Sequence, residues 1–338
     1  MKNRVPNRVP DFLFISLDFP VAAMYNENRF IYRNIKRNLL LVINYFILAL
    51  STLMATGKAL FCKALGTGQY SKKETAILNF KALLVAFACS LIFIIDKIYM
   101  LFSISAFSVI LSMFFGASVA VTQIMQSKAM GNGPASLVTL VYSCGCIVPV
   151  FYGLIFWNES VSAYQWLGII LLVAALCLIV FKSEKSGSVM AWFPFAVIAM
   201  LGSGANAIFQ KTHQYSAFAE ELKFFLVFSL FFSALFTGIA SLIIRDNDDR
   251  NPKTPKEQGI IKKFVVPVAL GVCVGMLNFL NLSLSGELPS VILFPIYNIG
   301  SMLLSSIISA IIYKDKPTKR QSIGFVVGIV AIFIVGVM

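Results

Sequence analysis

Long apolar runs alternate with short polar segments along the whole chain. The runs are continuous, as in 169–181 and 224–244. Barrel strands alternate apolar and polar residues, so unbroken runs of this length predict helices. A membrane-crossing helix needs about 20 apolar residues. On that measure the sequence predicts an all-α integral membrane protein with ten transmembrane helices. These fall at 39–61, 76–95, 101–125, 134–156, 162–181, 189–209, 223–244, 263–283, 289–312 and 320–338. The connections are short except 245–263, where Asp246, Asp248, Asp249, Pro252 and Pro255 exclude a span. Residues 1–38 read as a polar basic tail, because the apolar stretch 12–24 is short and interrupted by Asp18 and Pro20. Met24 is an alternative start within it. Pro134 and Pro289 fall where helices begin, a position that tolerates proline. Pro149, Pro194 and Pro295 fall within predicted spans and are candidates for kinks.

The polar residues within this pattern repeat. Gly131, Pro134, Tyr142 and Gly145 are matched by Gly286, Pro289, Tyr297 and Gly300, 155 positions later. Glu159, Gln165 and Gly168 are matched by Asp315, Gln321 and Gly324, 156 positions later. Upstream, Gly116, Gln123 and Gln126 pair with Gly271, Asn278 and Asn281. The stretch Lys58–Lys63 pairs with Asn206–Lys211 at an offset of 148. Each half holds five predicted helices. Five is odd, so the second half enters the membrane from the opposite side, as in carriers with a midplane site between inverted repeats.

Composition agrees with a lipid environment. Of 338 residues, 58% are hydrophobic and 13% charged, against about 25% charged in globular proteins. Mean hydropathy is +0.83. The net charge of +13 does not point to nucleic acid, because Lys and Arg lie mostly between the apolar runs, where membrane proteins carry them. The six cysteines have no CxxC spacing and read as small apolar residues. His213, the single histidine, is expected in the loop after the sixth helix. The sequence contains no HExxH, GxSxG or GxxxxGK[ST] motif, so no metal, cofactor or enzymatic role is expected.

Pro134, Tyr142, Pro149, Glu159, Gln165 and Gly168, with Pro289, Tyr297, Asp315, Gln321 and Gly324, resemble the two EamA-type domains of the drug/metabolite transporter superfamily. The resemblance covers roughly residues 40–338. It implies five-helix repeats at 39–181 and 189–338, a central cavity lined by both, and a peripheral last helix in each. It also implies a small-molecule substrate, residence in the cell membrane and both termini in the cytoplasm, although the Lys and Arg distribution favours the reverse orientation. The sequence departs from the pattern at Asp315, which stands in a basic run where the first half has Glu159.

An ionisable group within the bilayer is a functional candidate by default. All 15 Asp and Glu fall in tails, loops or at helix ends, which disfavours exchange of a proton for a cation at a buried carboxylate. Lys58 and Lys81 fall within predicted spans, each readable as a snorkelling side chain or as a cationic site for a carboxylate or phosphate. The candidate cavity residues are Lys58, Gln123, Gln126, Tyr142, Asn206, Gln210, Asn278, Asn281 and Tyr297. The competing reading of the neutral ones is helix–helix hydrogen bonding, at about 0.6 kcal/mol each. The expected function is alternating-access transport of a small polar metabolite, an amino acid or organic anion, by a monomer or homodimer. The alternatives are a drug or cation exporter of the same fold and a non-transporting membrane scaffold or sensor. The scaffold reading expects a repeat interior packed shut.

Overall fold

The computed structural model describes residues 28–66, 70–95, 103–133, 135–180, 191–244 and 260–313, with isolated positions at 97, 99 and within 319–334. The described residues form helices joined by turns. In chain order these are α1 (Asn28–Gly66), α2 (Lys72–Ile92), α3 (Ala106–Asn132), α4 (Ala135–Ser143), α5 (Ile147–Phe156), α6 (Ala163–Val180), α7 (Phe193–Gln214), α8 (Leu222–Ile243), α9 (Ile260–Ser285) and α10 (Ser290–Tyr313). Seven of them are long and apolar enough to cross a membrane: α1 from Leu39 onward, α2, α3, α7, α8, α9 and α10. This is the make-up of a multi-pass membrane protein. Shorter apolar stretches lie at Val141–Phe156 and Ala163–Ala175. The connection at 245–259 lies outside the described residues, as do residues 1–27 and most of the predicted tenth span.

Several boundaries differ from the sequence reading. Helix α1 begins at Asn28, not near residue 39. Residues 28–38 contain neither Pro nor Gly, so the helix continues beyond its apolar part. The predicted fourth span is divided into α4 and α5 by a 3-10 turn at Cys144–Cys146. Pro149 lies in the first turn of α5, where its missing N–H costs no helical bond. Pro194 also lies in the first turn of its helix, so it starts α7 and does not kink it. His213 lies in the last turn of α7, not in a loop.

Local sequence explains the helix starts. Ser71 caps α2: its Oγ accepts from the Glu74 N–H at 3.0 Å, and the Ser71 N–H donates to Glu74 Oε2 at 3.2 Å. Ser105 caps α3 through the Ser108 N–H at 3.2 Å. Within the spans, hydroxyls donate to the carbonyl one turn back. Examples are Thr56 to Thr52 at 2.8 Å and Thr237 to Ser233 at 2.8 Å.

Packing runs mainly across the midpoint of the chain. Helix α1 packs against α9 and α10, and α7 packs against α3, α4 and α5. Helix α2 packs against α8 and α9, and α3 against α8. Phe115, Phe225, Leu230 and Leu270 are among the buried residues of the core this creates. Two glycines allow close approaches between these helices. A Cβ on Gly116 of α3 would lie 2.7 Å from the Ser229 carbonyl oxygen of α8. A Cβ on Gly271 of α9 would lie 2.7 Å from Val85 Cβ of α2 and would overlap the Ala82 carbonyl. Gly271→Val should therefore force α2 and α9 apart at a cost of about 1–3 kcal/mol. Thermal unfolding of purified protein should show a lower midpoint for this variant, while Val272→Ala on the exposed face should leave it close to wild type.

Candidate functional site

Helices α7 and α9 each present one side-chain stripe to the space between the halves. On α7 it is Ser203, Asn206, Ala207 and Gln210, and on α9 it is Val274, Leu277, Asn278 and Asn281. Both follow the spacing i, i+3, i+4, i+7 of one helical face. Helix α3 adds Val119, Thr122 and Gln123, while Lys58, Tyr142 and Tyr297 enter from α1, α4 and α10. Together they enclose a cavity of about 30 Å³. That is room for about two water molecules and far below the roughly 300 Å³ of a small ligand pocket.

Eight of the nine residues expected from the sequence line this space. Gln126 does not. It sits on the same face of α3 as Gln123 but one turn further along, and is not among the lining residues. It is buried, and its Oε1 finds no donor among the described residues. Lys81 also lies elsewhere, exposed on the outside of α2. Thr122 and Ser203 join the lining without having been foreseen; a single hydroxyl in an apolar helix carries no distinguishing signal, because it often bonds its own backbone.

Lys58 is the one charged side chain among the lining residues. Its ammonium donates to Tyr142 Oη at 3.1 Å and lies 5.0 Å from the centre of the Tyr142 ring. Gln123 donates to Cys62 Sγ at 3.2 Å and to Asn79 Oδ1 at 3.2 Å. Asn79 also accepts from Ser127 Oγ at 2.9 Å and donates to the Thr75 carbonyl at 2.9 Å. Gln210 donates to Asn278 Oδ1 at 3.1 Å, and Asn278 to the Val274 carbonyl at 2.9 Å. Ser51 Oγ donates to Asn281 Oδ1 at 2.5 Å. Asn206 Oδ1 is buried with no donor among the described residues. The walls thus offer one cationic donor and an unpaired amide acceptor.

A second polar cluster lies at the end of α7. Glu159, in the turn after α5, forms an ion pair with Lys211, with side-chain exposures of 8% and 0%. Lys211 also donates to the Leu288 carbonyl at 3.2 Å, and Glu159 Oε2 accepts the Ser290 N–H at the start of α10 at 2.9 Å. The Lys211 ammonium lies 5.5 Å from the Trp157 ring centre and 5.4 Å from that of Tyr215, and the two rings stack at 5.7 Å. Burial, and then the Glu159 carboxylate beside it, push the Tyr215 phenol up to about 12. Burial in the neighbouring turn raises the Glu287 carboxyl to about 7. His213 is buried separately, stacked on Phe225 at 4.1 Å and 3.2 Å from Ser108 Oγ. Sequence reasoning placed Glu159 in a loop and missed this cluster. The available signal was that a lysine ending the first helix of each half, and an acidic residue after the fourth, both recur.

No family model matches the chain, and no curated protein does. Among solved structures 28 chains match. One, described only as the crystal structure of a protein, superposes with a TM-score of 0.61 at 13% identity, over 85% of this chain and 96% of its own. At that identity the likeness concerns the fold alone.

Asn79→Leu should leave Gln123 and Ser127 without their shared acceptor inside the bundle, at a cost of about 1–3 kcal/mol. The melting midpoint in detergent should fall accordingly. Asn79→Asp, which keeps the acceptor, should fall less.

Proposed function

We propose that the chain is a secondary transporter of a small polar metabolite, an amino acid or organic anion, working by alternating access. The observation that carries this reading is the polar cavity between helices of both halves, with Lys58 as its charged group. A charge and several amides are held there at a cost that an apolar interior would avoid.

The contacts support an inverted repeat of five-helix halves, ten spans in all, of the kind the EamA-type resemblance implies. Matched positions make matched contacts. Gly116 on α3 meets α8, while its counterpart Gly271 on α9 meets α2. Gln123 bonds Cys62, and their counterparts Asn278 and Gln210 bond each other. Ser143 Oγ donates to the carbonyl of its own counterpart, Asn298, at 3.2 Å, as expected near a two-fold axis. The exception is informative. Asn281 is satisfied by Ser51, but the position matching Ser51 is Ala199, which has no hydroxyl for Gln126, the counterpart of Asn281. The two sides are therefore chemically unequal within a shared geometry. In this reading the protein sits in the cell membrane with both termini in the cytoplasm, as a monomer or homodimer, and needs no cofactor or enzymatic activity.

One observation favours a second reading, a non-transporting scaffold or sensor: the cavity of about 30 Å³ admits no metabolite in this shape. Transport therefore requires the halves to separate around it. A cation exporter is less well supported, since no acidic side chain lines the space among the described residues.

A thermal-shift screen separates these readings. Purified protein would be tested against amino acids, organic acids, sugar phosphates and lipophilic cations, because a ligand that binds the folded state raises its apparent stability. The expected result is stabilisation by an anionic or zwitterionic metabolite, lost in Lys58→Ala. Stabilisation by cations alone, unchanged in that variant, would sink the anion-binding role of Lys58. No response to any class would favour the scaffold.

A further inference from the structure

We propose that the Glu159–Lys211 ion pair is a gate that closes one entrance to the cavity and must break for a ligand to pass. This rests on the carrier reading above. Three observations converge on it.

The first is position. Lys211 directly follows Gln210, the last cavity residue of α7. Ser290, held by Glu159, starts α10 two turns before Tyr297, which is about 10 Å along the helix. The pair thus stands at the end of the cavity where α7 finishes and α10 begins.

The second is connectivity. One carboxylate joins three separate segments: the turn after α5 that carries it, the end of α7 through Lys211, and the start of α10 through the Ser290 N–H. Lys211 reaches the Leu288 carbonyl in the turn before α10. The Trp157 and Tyr215 rings flank the ammonium and shield the pair. Breaking this contact releases all three segments together.

The third is energetics. Both partners are desolvated, so the closed arrangement depends on both charges. Removing one leaves the other buried and uncompensated, which favours a state where it reaches water. Removing both relieves that penalty. A gate of this kind is bistable, closed when dry and paired, open when wet and separated. A static clamp would respond differently: loss of the pair would lower stability without exposing the cavity.

The test uses the full chain reconstituted in vesicles, with its native cysteines replaced and Ser203→Cys, a cavity position, as reporter. A charged, membrane-impermeant methanethiosulfonate is applied from each face. In the otherwise native background, labelling from the gated face is slow. Glu159→Gln and Lys211→Met should each raise that rate about tenfold or more. The double variant, carrying neither charge, should fall back toward the native rate, a non-additivity that a clamp does not produce. Hydrogen exchange at the Ser290 amide, measured with native cysteines in place, gives a second readout if the cysteine-free chain does not fold. It should quicken in both single variants and slow again in the double. Single variants that fold and show unchanged labelling and exchange would overturn the gate. If access changes as expected but no ligand class stabilises the protein, the gate stands and the carrier reading fails.

Discussion

Inside a bilayer no water satisfies a polar group, so every amide, hydroxyl and charge in a span must find its partner within the protein. This constraint organises the molecule. Most hydroxyls meet it locally, by bonding the carbonyl one turn back. The carboxamides and the lysines need further partners. Asn79 and Asn278 bond one turn back and also accept from Gln123 and Gln210, and Lys58 donates to Tyr142. Asn281 through Ser51, and Lys211 through Glu159, reach across from one half of the chain to the other, and together these groups form a polar seam through an apolar bundle. Lys58, Gln123, Asn206, Gln210, Asn278 and Asn281 belong to this seam, and the cavity lies where their partnering is incomplete.

The same constraint links the seam to movement. A fully apolar interface of this extent would hold the halves together indifferently to what occupies it. In the proposed carrier, a ligand of matching chemistry would complete a polar interface that has an unpaired acceptor at Asn206 and one ammonium, that of Lys58, held by Tyr142. In the proposed gate, the buried ion pair would add a contact that is strong when dry and dispensable when wet. Small glycine-mediated crossings at Gly116 and Gly271 set the spacing on which both depend.

Much of this was legible in the sequence because polarity inside apolar runs is rare. Tyr142 and Tyr297, Gln123 and Asn278, and Lys58 and Asn206 stand out against their surroundings, and their regular spacing is the basis on which a repeat is proposed. The helix count was less legible. The fourth predicted span divides at Cys144–Cys146, and hydropathy does not register a backbone turn whose residues are themselves apolar. His213 was read as a loop residue because a polar side chain near a span end looks like its termination, whereas here it is folded inward and partnered. Gln126 lies one turn along α3 from Gln123 and is not among the residues lining the cavity. Glu159 and Lys211 each stand at recurring positions, but that they pair with one another follows from packing, because they lie far apart in sequence.

The most direct test of alternating access is a pair of distances between the halves, one at each face. Spin labels at Ser160 and Phe218 would report on the face with the ion pair, and labels at Lys72 and Lys263 on the opposite face. Pulsed dipolar spectroscopy in nanodiscs would give both distributions, with and without a stabilising ligand. Alternating access predicts reciprocal change: as one distance lengthens, the other shortens. A single narrow distribution at both faces, unmoved by any ligand, would contradict it and leave a rigid bundle with a small buried cavity.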